Sequence, residues 1–354
     1  YDTFGKVACA AVTFVDDALV AGTEEACQHY RAFMKAGYDI SDLGEPTDFL
    51  GMEIKYDHHE QSIKVWQEKY ITKMAQRYGI KYKKVLVPMP YDKRLVPREE
   101  GEAAADESLF RSKVGAIQYA AVCCRPDVCH AVIELARHMV SPSELHMKAA
   151  DQCLQYLLYT KTIGLTCVHG SWTNVEGSPC KNELAELFTD ASYGEDIVTR
   201  KSTSGYATIK NGAAVTWGCK GQDKIALSSG DAELRALSEC MREGIWIRKL
   251  IRTFSDDPTV RNRHAPIPPL RIWEDNRSTI KWVENPCAHS KVKHIDIPLK
   301  AIRNAATIDN EFSIKWVDTH NQLADCFTKS LSPKIHARLV MRLLNCADFS
   351  SAAA

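Results

Sequence analysis

The stretch LAELFTD, residues 184–190, is an apolar run that ends on an acidic side chain. A second run of this kind, LRIWED, covers residues 270–275. Between them, GYATIK and AAVTW flank Asn211-Gly212, a dipeptide that accepts the positive φ angles of a two-residue hairpin turn. These segments predict three antiparallel strands and, further along the chain, a fourth strand.

A long helix is predicted between the third and fourth strands, from about Asp231 to Phe254. Apolar residues recur at helical spacing on one face of it, and they are Leu234, Leu237, Met241 and Ile245. Because the fourth strand returns after a helical crossover, it should lie parallel to the first strand. A short helix over 277–283 and a strand over 312–317 would complete a mixed five-stranded sheet with flanking helices.

Four acidic residues follow this pattern in the order Asp, Glu, Asp, Asp, namely Asp190, Glu233, Asp275 and Asp325. The parallel pairing places Asp190 beside Asp275, Glu233 opens the long helix, and Asp325 is expected on the terminal helix. Two Mg²⁺ ions roughly 4 Å apart need several oxygen ligands from separate elements. We therefore predict a two-metal site for Mg²⁺, with Mn²⁺ as an alternative. Singly, each acid could instead be a turn former, a helix N-terminal residue or a solvated side chain.

Composition limits the other possibilities. The 354 residues predict two or three domains, and 45 basic against 45 acidic residues leave any nucleic-acid binding to local patches. Thirteen cysteines without regular spacing suit a reducing compartment. The longest early apolar run, residues 7–15, is too short to span a bilayer, so we expect a soluble intracellular protein without a membrane partner. A start at Tyr1 is typical of a piece cut from a longer product.

The first part of the chain predicts a small sheet with helices. Two strands, 10–15 and 18–20, are joined by Asp16-Asp17, a pair that binds metal in nucleotide polymerases but is also common in solvated turns. Further along, the pattern predicts helical character over 24–38, a segment over 49–55, a strand over 63–66 and a helix from Lys69.

The middle of the chain predicts a linker and three helices. Residues 88–105 are rich in Pro, charge and Ala, which indicates a linker. One helix covers 110–122, a second restarts at Arg125-Pro126, and a third follows Ser141-Pro142-Ser143-Glu144, which fits a capping box.

A cluster of possible zinc ligands lies between these helices and comprises Cys123, Cys124, Cys129 and His130. No second Cys or His pair at ligand spacing accompanies it, which favours buried structural cysteines over a zinc site.

Motifs along most of the chain resemble those of copia-type retrotransposon reverse transcriptase and ribonuclease H. The polymerase motifs are FVDD at 14–17, DLG at 42–44, FLGMEI at 49–54 and YITKM at 70–74. The connection motifs are FRSKVG at 110–115 and RPD at 125–127. The nuclease motifs lie at 189–193, 202–206, 226–229, 233–237, 275–276, 293–296 and 324–329. Two departures are Phe14, where the family usually has Tyr, and Gly230-Asp231, where it has Thr-Glu.

The resemblance implies roles for the polymerase motifs. Asp16 and Asp17 would bind the polymerase metals, Phe49, Leu50 and Gly51 would belong to the primer grip, and the thumb would start at 70–87. The fingers and the palm strand with the third metal-binding Asp would lie upstream of Tyr1. DNA synthesis by this chain alone is therefore not expected.

The resemblance also implies a multidomain α/β and α+β fold. The implied domains are a partial polymerase palm and thumb (1–87), a linker and helical connection (88–180), a ribonuclease H-like domain (181–331) and a C-terminal tail (332–354). The implied activity is hydrolysis of the RNA strand of an RNA/DNA hybrid by in-line attack of water. The partners would be that hybrid and the upstream polymerase part of the same polyprotein. The location would be cytoplasmic, in virus-like particles, or nuclear.

Two other classes remain open at this point. Integrases and transposases end their acidic set with Glu, whereas here Glu is second and Asp is last. A non-enzymatic retroelement remnant would keep the fold and bind nucleic acid or protein. Among other polar residues, His320 could shuttle protons or lie at the surface, and His294 is interpreted as structural. Four basic residues could contact phosphates, namely Arg200, Lys201, Lys220 and Lys224.

Overall fold

The computed structural model describes residues 7–170, 172–180, 185–255, 258–261, 267–285 and 296–346. It is a mixed α/β protein in which one four-stranded and one five-stranded sheet dominate. None of the helices in those ranges combines the length and the apolar character that a membrane crossing requires.

The N-terminal elements form a separate hairpin followed by a helix. Strands β1 (Cys9–Phe14) and β2 (Asp17–Gly22) pair with each other in their own two-stranded sheet. Helix α1 (Glu24–Gly37) follows, and Thr23 caps it by accepting from the Ala26 amide. The predicted hairpin and helix are thus confirmed, although Asp17 already belongs to β2.

The four-stranded sheet joins strands that are far apart in sequence. Its order is β3-β4-β5-β6, and all its pairs are antiparallel. The strands are β3 (Asp48–Phe49), β4 (Met52–Asp57), β5 (Ser62–Trp66) and β6 (Gly164–Val168). Strand β6 was not predicted, and it comes from the region assigned to the connection. One sheet therefore spans the proposed boundary at residues 87 and 88.

The described residues of the first and middle parts of the chain form four further helices. They are α2 (Glu68–Arg77), α3 (Glu107–Cys123), α4 (Cys129–Ala136), which a 3₁₀ turn over Pro126–Val128 precedes, and α5 (Glu144–Tyr159). The capping box of α5 was misplaced by two residues. Ser143, not Ser141, is the N-cap, and the His146 side chain accepts from the Ser143 amide at 2.9 Å.

The five-stranded sheet has the predicted topology. Its order is β11-β10-β9-β12-β13, with β9, β10 and β11 antiparallel and β12 parallel to both β9 and β13. The strands are β9 (Glu186–Ser192), β10 (Thr203–Lys210), β11 (Ala213–Gly221), β12 (Leu270–Glu274) and β13 (Phe312–Trp316), and a small pair, β7 (Trp172–Thr173) and β8 (Pro179–Cys180), precedes them. Asn211 and Gly212 have φ angles of 54° and 89°, as the hairpin turn requires.

Helices cover both faces of this sheet. They are α6 (Ser229–Phe254), α7 (Pro258–Arg261), α8 (Arg277–Glu284), α9 (Asp296–Arg303) with a π turn over Asn304–Ile308, a 3₁₀ turn over Thr319–Asn321, α10 (Asp325–Thr328) and α11 (Pro333–Leu344). One hydrophobic cluster packs α6 and α9 against the sheet. A larger cluster on the other face joins α10 and α11 to the helices of the middle region.

Three local predictions were wrong. Ile245 is exposed, because Gly244 and Ile247 lie on the buried face of α6 instead. Asp325 begins the single-turn helix α10 and not the terminal helix. The segment predicted as a tail contains α11, which buries Leu339 and Leu343 one turn apart against the larger cluster.

Candidate active site

The four predicted acids come from four separate elements. Asp190 lies within β9, where it pairs with Gly205, and Asp275 directly follows the parallel neighbour β12. Glu233 lies in the first turns of α6, and Asp325 is the first residue of α10. All but Asp275 are buried, and Asp275 is half-buried.

The structure brings these acids together in two groups that share one member. Ligand oxygens of Asp190, Asp275 and Asp325 lie within 4.8 Å of one another. Oxygens of Glu233, Glu274 and Asp275 satisfy the same limit. Asp275 therefore connects two acidic triads. We call the four predicted acids and Glu274 together the acidic cluster.

Glu274 is the member that sequence reasoning missed. Its side chain is fully buried, and its Oε1 accepts from the Asn276 amide at 2.9 Å. Side chains alternate between the two faces of a strand, so Glu274 and Asp275 were not expected to converge. They do so because β12 ends at Glu274. Asp275 lies beyond the strand, so its side chain need not point to the opposite face of the sheet.

Two oxygens of the acidic cluster have no protein partner. Glu233 Oε2 and Glu274 Oε2 are both buried without a hydrogen bond. A buried carboxylate oxygen without a partner is costly. These two atoms therefore point to a ligand that the protein itself does not supply.

One lysine partly balances the acidic cluster. Lys329 Nζ lies 2.7 Å from Asp325 Oδ1 and 3.2 Å from Asp190 Oδ1. Thr328 donates its hydroxyl to Asp190, and Thr319 Oγ1 donates to Asp275 Oδ2 at 3.1 Å. The i to i+4 spacing of Asp325 and Lys329 is the sequence signal that could have identified this pair.

Burial and mutual repulsion raise the pKa of four carboxyl groups in the acidic cluster. Burial first, and then neighbouring carboxylates, raise the pKa of Glu233 well above its usual value. Burial also raises the pKa of Glu274 well above that value and raises the pKa of Asp275. For Asp325, burial and then Asp190 raise the pKa to about 7. Five carboxylates with one lysine form a site that favours added positive charge.

The residues present fit divalent cations such as Mg²⁺. Hard cations of this class bind carboxylate oxygens from several elements, and both triads offer only such oxygens. The unpartnered oxygens of Glu233 and Glu274 are available as ligands.

The polymerase motif residues do not join this cluster. Asp16 and Asp17 are exposed at the tip of the β1–β2 hairpin. Within the described ranges, neither belongs to a group of three possible metal ligands. Of the predicted primer-grip residues, Phe49 ends β3, and Leu50 and Gly51 form the tight turn after it with φ angles of 49° and 72°.

The cysteines of the middle region donate to nearby oxygens. Cys124 Sγ donates to Gln67 Oε1 at 3.2 Å, and Cys129 Sγ lies 3.8 Å from the Ala121 carbonyl. His130 instead forms a group with Glu134 and Glu195, within 4.8 Å of one another. Arg137 pairs with both glutamates, so a cation already occupies their neighbourhood.

The other polar residues singled out in the sequence lie at the surface or outside the residues that the structure describes. His320 is exposed in the 3₁₀ turn, where its amide donates to Asp318 Oδ1. His294 lies outside the described residues. Arg200 adopts a positive φ of 57° beside Lys201 in the turn before β10, and Lys220 is 3.9 Å from Asp223. Lys224 follows in the turn before α6.

Comparison with known proteins gave relatives among retroelements, although no family model matches the chain. The chain is 30% identical over 325 residues to the retrovirus-related Pol polyprotein from transposon TNT 1-94 of Nicotiana tabacum, covering 89% of the chain and 23% of that polyprotein. It is also 30% identical over 234 residues to a transposon Ty5-1 protein of Saccharomyces cerevisiae, covering 65% of the chain and 72% of that protein. The chain thus spans less than a quarter of the tobacco relative's length.

The matches among solved structures are more distant in sequence. The structure of LC11-RNase H1 in complex with RNA/DNA hybrid is 11% identical and aligns with a TM-score of 0.29, covering 41% of the chain and 93% of that protein.

Proposed function

This chain belongs to the copia-type retrovirus-related Pol polyproteins, and from that premise we propose that residues 181–331 form a ribonuclease H-type endonuclease. Its substrate is the RNA strand of an RNA/DNA hybrid. The observation that carries the proposal is the pair of acidic triads that share Asp275. The order of the five-stranded sheet supports it, because that order brings β9 and β12 together at the cluster.

Within this proposal, the two triads hold two divalent cations, preferably Mg²⁺. Asp190, Asp275 and Asp325 hold one ion, and Glu233, Glu274 and Asp275 hold the other. When bound, the ions supply Lewis-acid activation of water and stabilisation of the charge on the leaving 3′ oxygen. Hydrolysis then needs no nucleophilic side chain.

The protein side chains orient the site. Thr328 and Thr319 each donate to one ligand carboxylate, and such outer partners fix ligand orientation. In the absence of metal ions, Lys329 balances part of the negative charge of Asp190 and Asp325. Substrate selection rests on the A-form shape and 2′-hydroxyls of the RNA strand.

The test is cleavage of an end-labelled RNA/DNA hybrid in Mg²⁺, with duplex DNA and duplex RNA as controls. We expect cleavage of RNA in the hybrid alone. Asp190→Asn and Asp275→Asn should each lower the rate by at least about 100-fold, the scale of losing a main electrostatic contribution at an active site. Asp223→Asn, an exposed acid of the same type, should cleave as the wild type does.

Intact RNA with a folded wild-type protein would overturn the proposal. The non-enzymatic alternative would then be favoured, in which the chain binds nucleic acid or protein without hydrolysis. Equal loss in Asp223→Asn would show that the cluster has no special role.

A further inference from the structure

A cleft of about 850 Å³ opens beside the acidic cluster. One wall is the segment 89–98, and the opposite wall is the segment 191–199 that continues from β9. Thr328 and Lys329, both bonded to Asp190, line the same cleft. A polymeric ligand that extends from the acidic cluster past Thr328 and Lys329 therefore enters the cleft.

The 89–98 wall is held in place although it has no regular secondary structure. Met89 is buried in the larger hydrophobic cluster, and Leu95 packs against that cluster. His146 Nε2 lies 2.9 Å from the Val96 carbonyl. Arg98 donates to Ser141 Oγ at 3.1 Å and to the Glu102 carbonyl at 2.7 Å. The predicted linker is therefore a fixed surface.

Two cations on this wall are available for a ligand. Lys93 and Arg94 line the cleft and are exposed. Across the described ranges, neither lies within ion-pair distance of a carboxylate. They stand beside Asp92, which is also exposed.

The acids of the opposite side have internal partners. Glu134 and Glu195 both pair with Arg137. Asp196 accepts from the amides of Val198 and Thr199 and from the Thr199 hydroxyl. Among the described lining residues, Lys93 and Arg94 are therefore exposed cations without an ion pair, with Asp92 opposing them, whereas Arg98 is held by Ser141 and the Glu102 carbonyl.

Two aromatic rings complete the cleft. Tyr91 and Tyr193, one on each wall, are 53% and 51% exposed. Unpaired cations on a cleft wall can contact phosphates, and exposed aromatic rings beside them can pack against the sugars of a strand.

We propose that this cleft binds the RNA/DNA hybrid next to the cleavage site, with Lys93 and Arg94 on phosphates and Tyr91 against a sugar. The inference rests on the proposed function for the choice of hybrid. It assigns substrate binding to a segment outside the nuclease domain itself.

The test measures binding of a fluorescein-labelled RNA/DNA hybrid to the full chain by anisotropy, in EDTA over a series of salt concentrations. Each of Lys93→Gln and Arg94→Gln should weaken binding and reduce the slope of log K against log salt by about 1. Tyr91→Ala should weaken binding but leave the salt slope unchanged, because the ring carries no charge.

Matched controls come from the preceding segment. Lys83→Gln and Lys84→Gln remove exposed lysines that do not line the cleft, and Tyr82→Ala removes an exposed tyrosine of the same kind. All three should bind as the wild type does. Thermal unfolding should be alike in all variants, because every replaced side chain is exposed.

Cleavage is assayed in parallel to separate the two proposals. Weaker binding in the cleft variants alone supports the cleft even if no protein cleaves RNA, an outcome that would overturn only the proposed function. Unchanged binding in the cleft variants, equal losses in the controls, or no binding by wild type would each overturn the cleft assignment.

Discussion

Arg125 and Asp127 are buried together in the middle region, and the acidic cluster is buried at the edge of the five-stranded sheet. Arg125 contacts both Asp127 oxygens, at 2.9 and 2.7 Å, and Tyr156 donates to Asp127 at 2.5 Å. Although burial opposes ionisation, Arg125 lowers the pKa of Asp127. In the acidic cluster, by contrast, burial and like charges raise the pKa values of Glu233 and Glu274.

The difference lies in whether each charge has its complement within the protein. In the middle region, cation, anion and hydroxyl satisfy one another, which suits a structural role. At the sheet edge, Lys329 is shared by Asp190 and Asp325, and Glu233 and Glu274 keep unpartnered oxygens. Neutralising an acid should therefore have opposite effects on stability in the two regions.

The largest expected effect is that of Asp127→Asn. It should lower the free energy of unfolding by about 3–5 kcal/mol, because the Arg125 guanidinium would keep a buried charge without its counter-charge. Urea unfolding followed by circular dichroism at pH 7 in EDTA measures it. Asp223→Asn at the surface should change the value by no more than about 0.5 kcal/mol. A loss under about 1 kcal/mol for Asp127→Asn would contradict the structural role.

A pH-dependent contribution should come from His336, whose Nε2 lies 3.0 Å from the Tyr156 hydroxyl. Burial lowers the pKa of His336 to about 4. The unfolded chain takes up this proton near pH 6.5, so stability from this group is present above pH 6.5 and is lost as pH falls toward 4. The loss should be about 2–3 kcal/mol.

His336→Phe should remove this part of the pH dependence, as urea unfolding between pH 4 and 7 in EDTA would show. His320→Phe, which changes an exposed histidine, is the control and should keep the wild-type profile. Parallel profiles for His336→Phe and wild type would mean that His336 titrates normally.

Glu274→Gln should stabilise the protein in EDTA by about 1–2 kcal/mol, because it removes one of several repelling buried charges. The amide oxygen can still accept from the Asn276 amide. Stabilisation by added Mg²⁺, measured as the shift in unfolding temperature, should shrink. Glu239→Gln, which changes a partly buried glutamate of α6 outside the acidic cluster, is the control for the Mg²⁺ response. Destabilisation in EDTA would contradict the repulsion between these buried carboxyl groups.

The smallest expected effect is that of Lys329→Met. The protein in EDTA should lose about 0.5–1 kcal/mol, the range of a partly exposed ion pair, and Mg²⁺ should stabilise the variant more than wild type. Unfolding temperatures with and without Mg²⁺ give both values. Lys334→Met removes an exposed lysine from α11 and should match wild type in each. A smaller Mg²⁺ response in Lys329→Met would show that the lysine assists cation binding.

Local patterns were sufficient for the five-stranded sheet. Asn211-Gly212 specifies its hairpin turn, and the helical crossover before β12 specifies a parallel neighbour for β9. Since these two relations fix the strand order, they also brought Asp190 next to Asp275. Convergence of Glu233 and Asp325 followed from their places on flanking helices.

Long-range relations were not accessible from local patterns. Strands β5 and β6 pair across about a hundred residues, with Ser62 opposite Val168, and no turn signal connects them. Glu274 was missed because its position depends on where β12 ends. The fixed position of 89–98 was not predicted because its anchors, such as His146, lie in a different part of the sequence.

The packing of α11 has a consequence for biosynthesis. Leu343 and Leu344 belong to the same hydrophobic cluster as Ile71 and Phe110, so this core cannot close until the ribosome has released α11. At a translation rate of 5–20 residues per second, roughly 15–55 s pass between synthesis of Ile71 and synthesis of the α11 residues that pack in the same cluster. A premature stop codon just before α11 would thus leave the four-stranded sheet and its helices with exposed apolar surface, and chaperones would encounter that surface during every round of translation.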